Sequence, residues 1–229
     1  MDGCKGGWIG IRKDVSSGEI SSEVFASGRQ LIEQSSSCEV LTLDIPIGLT
    51  DSGPRKCDVL ARKMLGPGRA SSVFPAPIRP ALGASDRKEA DRVSRTVQGK
   101  GVGAQAFALY ARVRDIDQVI RSSSRAREHL YEVHPEISFM AWNEGKPIIE
   151  SKRSFRGMSI RLGLVRSYFG KETVESIRQT HPPSQVADDD ICDAFAALWT
   201  AERISLKVAE VIPNPPEIDP LGLRMGMWY

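Results

Sequence analysis

The chain has 229 residues, 41% of them hydrophobic and 26% charged, with 31 Lys plus Arg against 29 Asp plus Glu for a net charge of +2. That length buries well over half of the unfolded chain's surface without staples, and the absence of any apolar run near the ~20 residues of a membrane span excludes a helical membrane protein. The opening MDGCKGGWIG lacks the basic and apolar segments of a secretory signal, so a cytoplasmic location is expected. Cys4, Cys38, Cys57 and Cys192 form no Cys-x-x-Cys pair and read as reduced thiols, not as a zinc ribbon or redox motif. Charge is unevenly spread: Gly53 to Tyr131 holds sixteen Lys plus Arg against seven Asp plus Glu, leaving the remainder at minus seven. A basic middle with acidic flanks suits a protein that holds a polyanion in one region and cations in another, although unevenly solvated charge gives the same count.

Trp8 to Val15 reads as a strand, Ser16 to Gly18 as a turn and Glu19 to Phe25 as the returning strand. Gly28 to Gln34 reads as a short helix. Val40 to Ile47 is a near-continuous apolar run interrupted by Asp44, the pattern of a strand buried on both faces of a partly parallel sheet. Arg55 to Leu65 has helical spacing and is closed by Gly66-Pro67-Gly68; the proline-rich stretch to residue 83 predicts an ordered surface loop. Two basic helices follow, over 85–98 and from Gln105 to Ile120, separated by a glycine-rich break. His129 to Val133 reads as a strand ended by Pro135. Phe139 to Trp142, Arg156 to Phe169 and the segment from Asp188 onward read as helices, the last with Ile191, Phe195, Leu198 and Ala201 inward. An opening hairpin followed by alternating strands and helices predicts an α/β protein with a mixed sheet flanked by helices, undivided by any linker and carrying a basic loop-and-helix insertion around 53–128.

The acidic residues carry the chemistry. Asp44 lies near the C-terminal end of the most apolar strand, where a bare carboxylate is costly unless it meets a hydrogen-bond donor, a loop exit or a metal, and where α/β sheets usually bind ligands. A loop-capping role is the competing explanation. Asp188, Asp189, Asp190 and Asp193 open the last helix. Capping and the helix dipole account for one or two of them, and the rest repel at that spacing unless a cation intervenes. Asp2 beside Gly3 and the Gly6-Gly7 pair adds a weaker signal. In YEVHPE, Glu132 is a further candidate ligand, while His134 reads as a hydrogen-bonded residue.

Taken together, DGCKGGW, LDIPIGLTD, RKCDVLARKMLG, SSVFPAP, YEVHPE, DDDICDAFAALWTAER and GLRM resemble, in order along the whole chain, the predicted ribonuclease-H-like nuclease family known as domain of unknown function 429. The resemblance implies a ribonuclease-H-like mixed sheet, antiparallel at its N-terminal strands and then parallel, with the first and fourth strands side by side. It also implies catalytic, metal-binding acids at Asp2, Asp44, Asp190 and Asp193. Asp-x-x-Asp-Ala at 190–194 is similar to the last acidic motif of Holliday-junction resolvases. Because only Met1 precedes Asp2, little remains for the beginning of the first strand, and the resemblance predicts a true start upstream.

Converging carboxylates would hold one or two Mg²⁺ or Mn²⁺ ions, with Glu132 as an added ligand, for hydrolysis of nucleic-acid phosphodiesters. Arg55, Arg62, Arg69, Arg79 and Lys100 would contact phosphates without reading sequence. Two rivals stand beside this reading: a non-catalytic nucleic-acid or protein binding module on the same fold, and an actin-like phosphate-binding ATPase, which one short domain with one hairpin signal disfavours.

Overall fold

The computed structural model describes residues 1–229. The opening hairpin forms where alternation and glycines demand it. Strands β1 (Asp2–Cys4) and β2 (Gly7–Lys13) pair antiparallel with Asp2 opposite Ile9, and β2 pairs antiparallel with β3 (Ile20–Phe25). Gly7, at the corner, has φ 125°, and a Cβ there would lie 2.2 Å from the carbonyl oxygen of Phe25, so no other residue fits. Helix α1 (Gly28–Gln34) starts at Ser27, whose hydroxyl accepts from the Gln30 N–H, and leads to β4 (Leu41–Leu43).

After β4 come α2 (Lys56–Arg69), α3 (Arg87–Gln98), α4 (Ala104–Ala108), α5 (Tyr110–Ser122) and α6 (Ser124–His129). Strand β5 (Leu130–Glu132) then pairs in parallel with β4. Four helices follow, α7 (Pro135–Trp142), α8 (Phe155–Phe169), α9 (Lys171–Thr180) and α10 (Asp188–Ser205), and the chain closes on an antiparallel pair, β6 (Val211–Ile218) with β7 (Arg224–Trp228).

Backbone hydrogen bonds join the small sheets edge to edge. The Met1 amine donates to Thr42 O at 2.9 Å and Asp44 N–H to Met1 O at 3.1 Å, which sets the first strand beside β4. Val133 N–H donates to Leu43 O at 2.9 Å, and Val133 bridges Trp228 in parallel. The protein is therefore an α/β fold of small antiparallel and parallel sheets flanked by helices, running β3-β2-β1, β4-β5 and β7-β6.

Period-two alternation sorts the strand residues between two cores. Met1, Trp8, Phe25, Leu41 and Leu43 pack with Leu31 of α1 and Val113 and Ile116 of α5. Cys4, Ile9 and Ile11 face the other way, against Val165 of α8, Val174 of α9 and Phe195 of α10. Each such fully buried Leu, Ile or Phe side chain stabilises the fold by about 1.5–3 kcal/mol. The residues between them in sequence, Asp2 on β1, Thr42 on β4 and Asp44 just past its end, accordingly belong to the α10 face. Every residue of α10 from Ile191 to Thr200 is buried, and Ala194, Ala196 and Ala197 let the helix lie close to the strands.

Several elements depart from expectation for identifiable reasons. The strand expected from Val40 to Ile47 stops pairing at Leu43, because Pro46 has no N–H and Gly48 turns the chain at φ 72°. The helix expected from Gln105 to Ile120 is divided at Leu109 into α4 and α5, and His129 closes α6 instead of opening β5. The expected helix stop at Gly66 is a kink inside α2, where Gly66 has φ 68°. Helix α9 and the β6–β7 pair were not foreseen. Pro213, Pro215 and Pro216 make β6 read as loop, yet it pairs only with β7, so missing N–H groups cost little on its other edge. Within the basic stretch, α2 packs on α7 and β7, α5 covers the sheet, and α3 and α4 form a satellite cluster around Ala90 and Val102. No helix is long and apolar enough to cross a membrane.

Candidate metal centre

One hydrogen bond sets the register of the acidic site. The Thr42 hydroxyl donates to Ala197 O at 2.9 Å, pinning α10 to β4. Asp44 lies two residues beyond Thr42 on the same strand face, and Asp193 lies four residues before Ala197 on the same helix face. The pin therefore brings the two acids together at the C-terminal end of β4. Asp2 joins them from the neighbouring strand, held there by the Asp44 N–H bond to Met1 O. Three elements distant in sequence thus supply carboxylates that repel one another, Asp2 feeling both Asp193 and Asp44, while the tighter three-ligand group of the fold is Cys57, Asp58 and Glu132.

The electrostatics follow from that crowding. Burial pushes the Asp2 carboxyl well above the usual carboxylate range, and Asp193 and Asp44 push it further. Burial raises Asp193 to about 7 against the opposing pull of Lys152. Burial also raises Asp44, countered first by His134 and then by Lys152. Asp2 is only 8% exposed, and its carboxylate receives neither a hydrogen bond nor an ion pair, only the longer-range pull of Lys152. An unanswered buried carboxylate beside two others is an arrangement that a cation stabilises. The donor set, oxygens of Asp2, Asp44 and Asp193, fits a hard divalent ion such as Mg²⁺ or Mn²⁺.

Lys152, absent from the sequence-derived candidates, is the cation already present. Its Nζ lies 2.5 Å from Asp193 Oδ2 and 3.4 Å from Asp189 Oδ2. The other acids at the head of α10 do different work. Asp190 accepts the Ala187 N–H at 3.0 Å, and Asp188 pairs with Arg178 at 2.8 Å. The capping explanation therefore accounts for Asp190, and Asp193 is the helix acid inside the cluster.

Glu132 requires correction as a ligand of this site. It turns away and forms a separate buried cluster in which Arg55, 1% exposed, is clamped between two carboxylates. Arg55 Nη1 and Nη2 donate to Glu132 Oε2 and Oε1, each at 2.7 Å, and Nη2 also donates to Asp58 Oδ1 at 2.5 Å. Glu132 Oε2 further accepts the Ile47 N–H at 2.7 Å, tying down the chain just after Asp44. Cys57, Asp58 and Glu132 bring ligand atoms within 4.8 Å of one another, but the Arg55 guanidinium already fills the cation's role among them.

The acid that does approach the main site from this motif is Glu136, two residues past His134. Its carboxylate is held by Arg69 on one oxygen and by Arg161, at 2.6 Å, on the other. His134 Nε2 donates to Ser72 O at 3.3 Å, as its reading as a hydrogen-bonded residue implied, while Nδ1 has no partner.

Three of the five expected phosphate contacts are likewise corrected. Arg55 is buried in its ion pair, Arg69 is bound to Glu136, and Arg79 bridges Asp117 at 3.1 Å and Asp219 at 2.5 Å. Each is internally neutralised, so none is free for a polyanion. Arg62 commits Nη1 to Val73 O at 2.7 Å but remains exposed, and Lys100 lies exposed in the break between α3 and α4. A signal for Lys152 and Arg161 existed in SKRSFRGMSIR, but nothing local distinguishes those cations from their solvated neighbours.

The family model described as Protein of unknown function (DUF429) matches residues 1–218 of the chain. No curated protein and no solved structure matches it.

Proposed function

The chain belongs to the family described as Protein of unknown function (DUF429), and on that premise we propose that it is a divalent-metal-dependent nuclease of ribonuclease-H-like architecture. The observation that carries the reading is the convergence of Asp2, Asp44 and Asp193 from two adjacent strands and a crossing helix, with Asp2 buried and unanswered. The placement of the first strand beside the fourth supports the ribonuclease-H-like assignment, since that neighbourhood is what the resemblance implies.

Asp2, Asp44 and Asp193 would hold Mg²⁺ or Mn²⁺, which would supply Lewis acidity to a phosphodiester and lower the pKa of a bound water. The protein's own contribution is placement. Thr42 fixes the helix acid against the strand acid, and Glu132 fixes the turn that follows Asp44. Lys152 opposes the burial that raises Asp193 to about 7. The surplus of positive charge between Gly53 and Tyr131 supports a polyanionic substrate, with Arg62 and Lys100 retained as its exposed contacts.

The test is cleavage of labelled single-stranded, duplex, hybrid and branched nucleic acids with Mn²⁺ or Mg²⁺, comparing wild type with Asp44→Asn. Metal-dependent cutting that the substitution abolishes is the expected result. The binding-module alternative, favoured by the pairing that Lys152 already gives Asp193, predicts no cutting and a metal-free Asp44→Asn protein that is more stable yet gains nothing lost by wild type on adding metal.

A further inference from the structure

The segment that delivers Lys152 to the carboxylates is tightly constructed. Arg161, fully buried on α8, donates from Nη1 to Glu150 O at 3.1 Å and Gly157 O at 2.9 Å, and from Nη2 to Glu136 Oε2 at 2.6 Å and Ile148 O at 3.5 Å. One guanidinium therefore anchors the chain on the approach to Lys152. On the other side, the Ser154 hydroxyl accepts the Gly157 N–H at 3.1 Å and donates to Ser151 O at 2.7 Å. Gly157 is indispensable to this fold-back, because a Cβ there would sit 2.1 Å from Ser151 O. The backbone flanking Lys152 is thus pressed onto the first turn of α8, and a solvated surface lysine needs no such support.

Charge then decides what else the site accommodates. Glu136 is answered by Arg69 and Arg161, and Asp190 is spent on the Ala187 N–H. Asp189 shares Lys152 at 3.4 Å, and among Asp2, Asp44 and Asp193 only Asp193 has an ion pair. Lys152 holds Asp193, which leaves Asp2 and Asp44 as the pair open to a divalent ion. A second divalent ion on Asp193 would lie against the Lys152 ammonium, 2.5 Å from Asp193 Oδ2, and the two like charges repel.

The geometry points to Lys152 as a resident second cation: its ammonium occupies the Asp193 side of the cluster and limits the site to a single divalent ion, coordinated toward Asp2 and Asp44. This rests on the metal-centre reading above and narrows it. Lys152 is then a positioning residue, supplying as a fixed charge what a second ion supplies in two-metal hydrolases.

The experiment is a calorimetric titration of the full chain with Mn²⁺ alone, paired with electron paramagnetic resonance of the bound ion, for wild type, Lys152→Met and Lys152→Arg. Lys152 is 32% exposed, so both variants are compatible with the packed loop, and circular dichroism checks their folding. Wild type should bind one Mn²⁺ with an uncoupled spectrum. Lys152→Met should bind Mn²⁺ about tenfold more tightly or take up a second, spin-coupled ion, as expected when a like charge at this range is removed. Lys152→Arg should restore the wild-type stoichiometry and affinity. Two ions in wild type, or a Lys152→Met titration identical to wild type, would overturn the inference while leaving the metal centre standing. No Mn²⁺ binding to any of the three would overturn the metal centre itself.

Discussion

Replacing Arg55 by methionine separates a structural role from a phosphate-binding one. The guanidinium makes close bonds to both oxygens of Glu132 and both of Asp58, at 2.5 to 3.2 Å, and reaches Ile47 O at 3.2 Å. Methionine fills a similar volume but leaves two carboxylates, 2% and 4% exposed, with no counter-charge. Removing one partner of a buried ion pair costs about 3–5 kcal/mol, and a single Arg that serves two acids belongs at the upper end. For a chain of this size about 2–4 °C accompanies each kcal/mol, so the thermal midpoint should fall by roughly 10–20 °C. Thermal unfolding followed by circular dichroism at neutral pH, without metal, reads this directly. Adding Asp58→Leu and Glu132→Gln should recover part of the loss, since an uncharged cluster no longer has carboxylates to desolvate. A variant with the wild-type midpoint but weakened binding to a single-stranded oligonucleotide would refute the reasoning, for it would place Arg55 at a solvent-facing phosphate contact.

Stability should also respond to pH and to the loop. Asp193 titrates near 7 in the folded chain and near 3.8 when unfolded, so the folded state binds the extra proton between those values. Metal-free stability attributable to this group is therefore present below about pH 4 and declines as pH rises to 7, by on the order of a few kcal/mol, the opposite of an ordinary salt-bridged Asp. Urea unfolding at pH 5 and 8 should show this decline in wild type and less of it in Asp193→Asn; equal pH dependence in the two would contradict the assignment. Gly157→Ala should cost about 1–3 kcal/mol by forcing the fold-back at Ser151 open. It should also loosen Lys152, so that Mn²⁺ affinity moves in the same direction as in Lys152→Met; an unchanged melting midpoint would show that the loop does not need the glycine.

Much of the fold was legible because its signals are local. The hairpin from Trp8 to Phe25, the apolar run around Leu43 and the buried face of α10 follow from periodicity that any neighbour would satisfy. The β6–β7 pair was hidden because its prolines are tolerated only through an edge position, and edge position is a property of the assembled sheet. The same division runs through the site. Asp44 and Asp193 stand out as carboxylates embedded in apolar sequence, since burying a charge is conspicuous wherever it occurs. Among equally charged neighbours, however, sequence does not state which acid is answered by what. Asp190 and Asp193 look alike three residues apart, yet one accepts an N–H of its own helix start and the other meets Lys152. Glu132 and Glu136 stand in one short motif, and three-dimensional packing gives the first to Arg55 and the second to Arg69 and Arg161. The sequence by itself determined that carboxylates would be buried at the end of a central strand and the start of the last helix. Only the tertiary structure decided which of them remain unpaired, because ion pairing depends on partners 25 to 140 residues away, brought within 3 Å by packing that leaves no local trace.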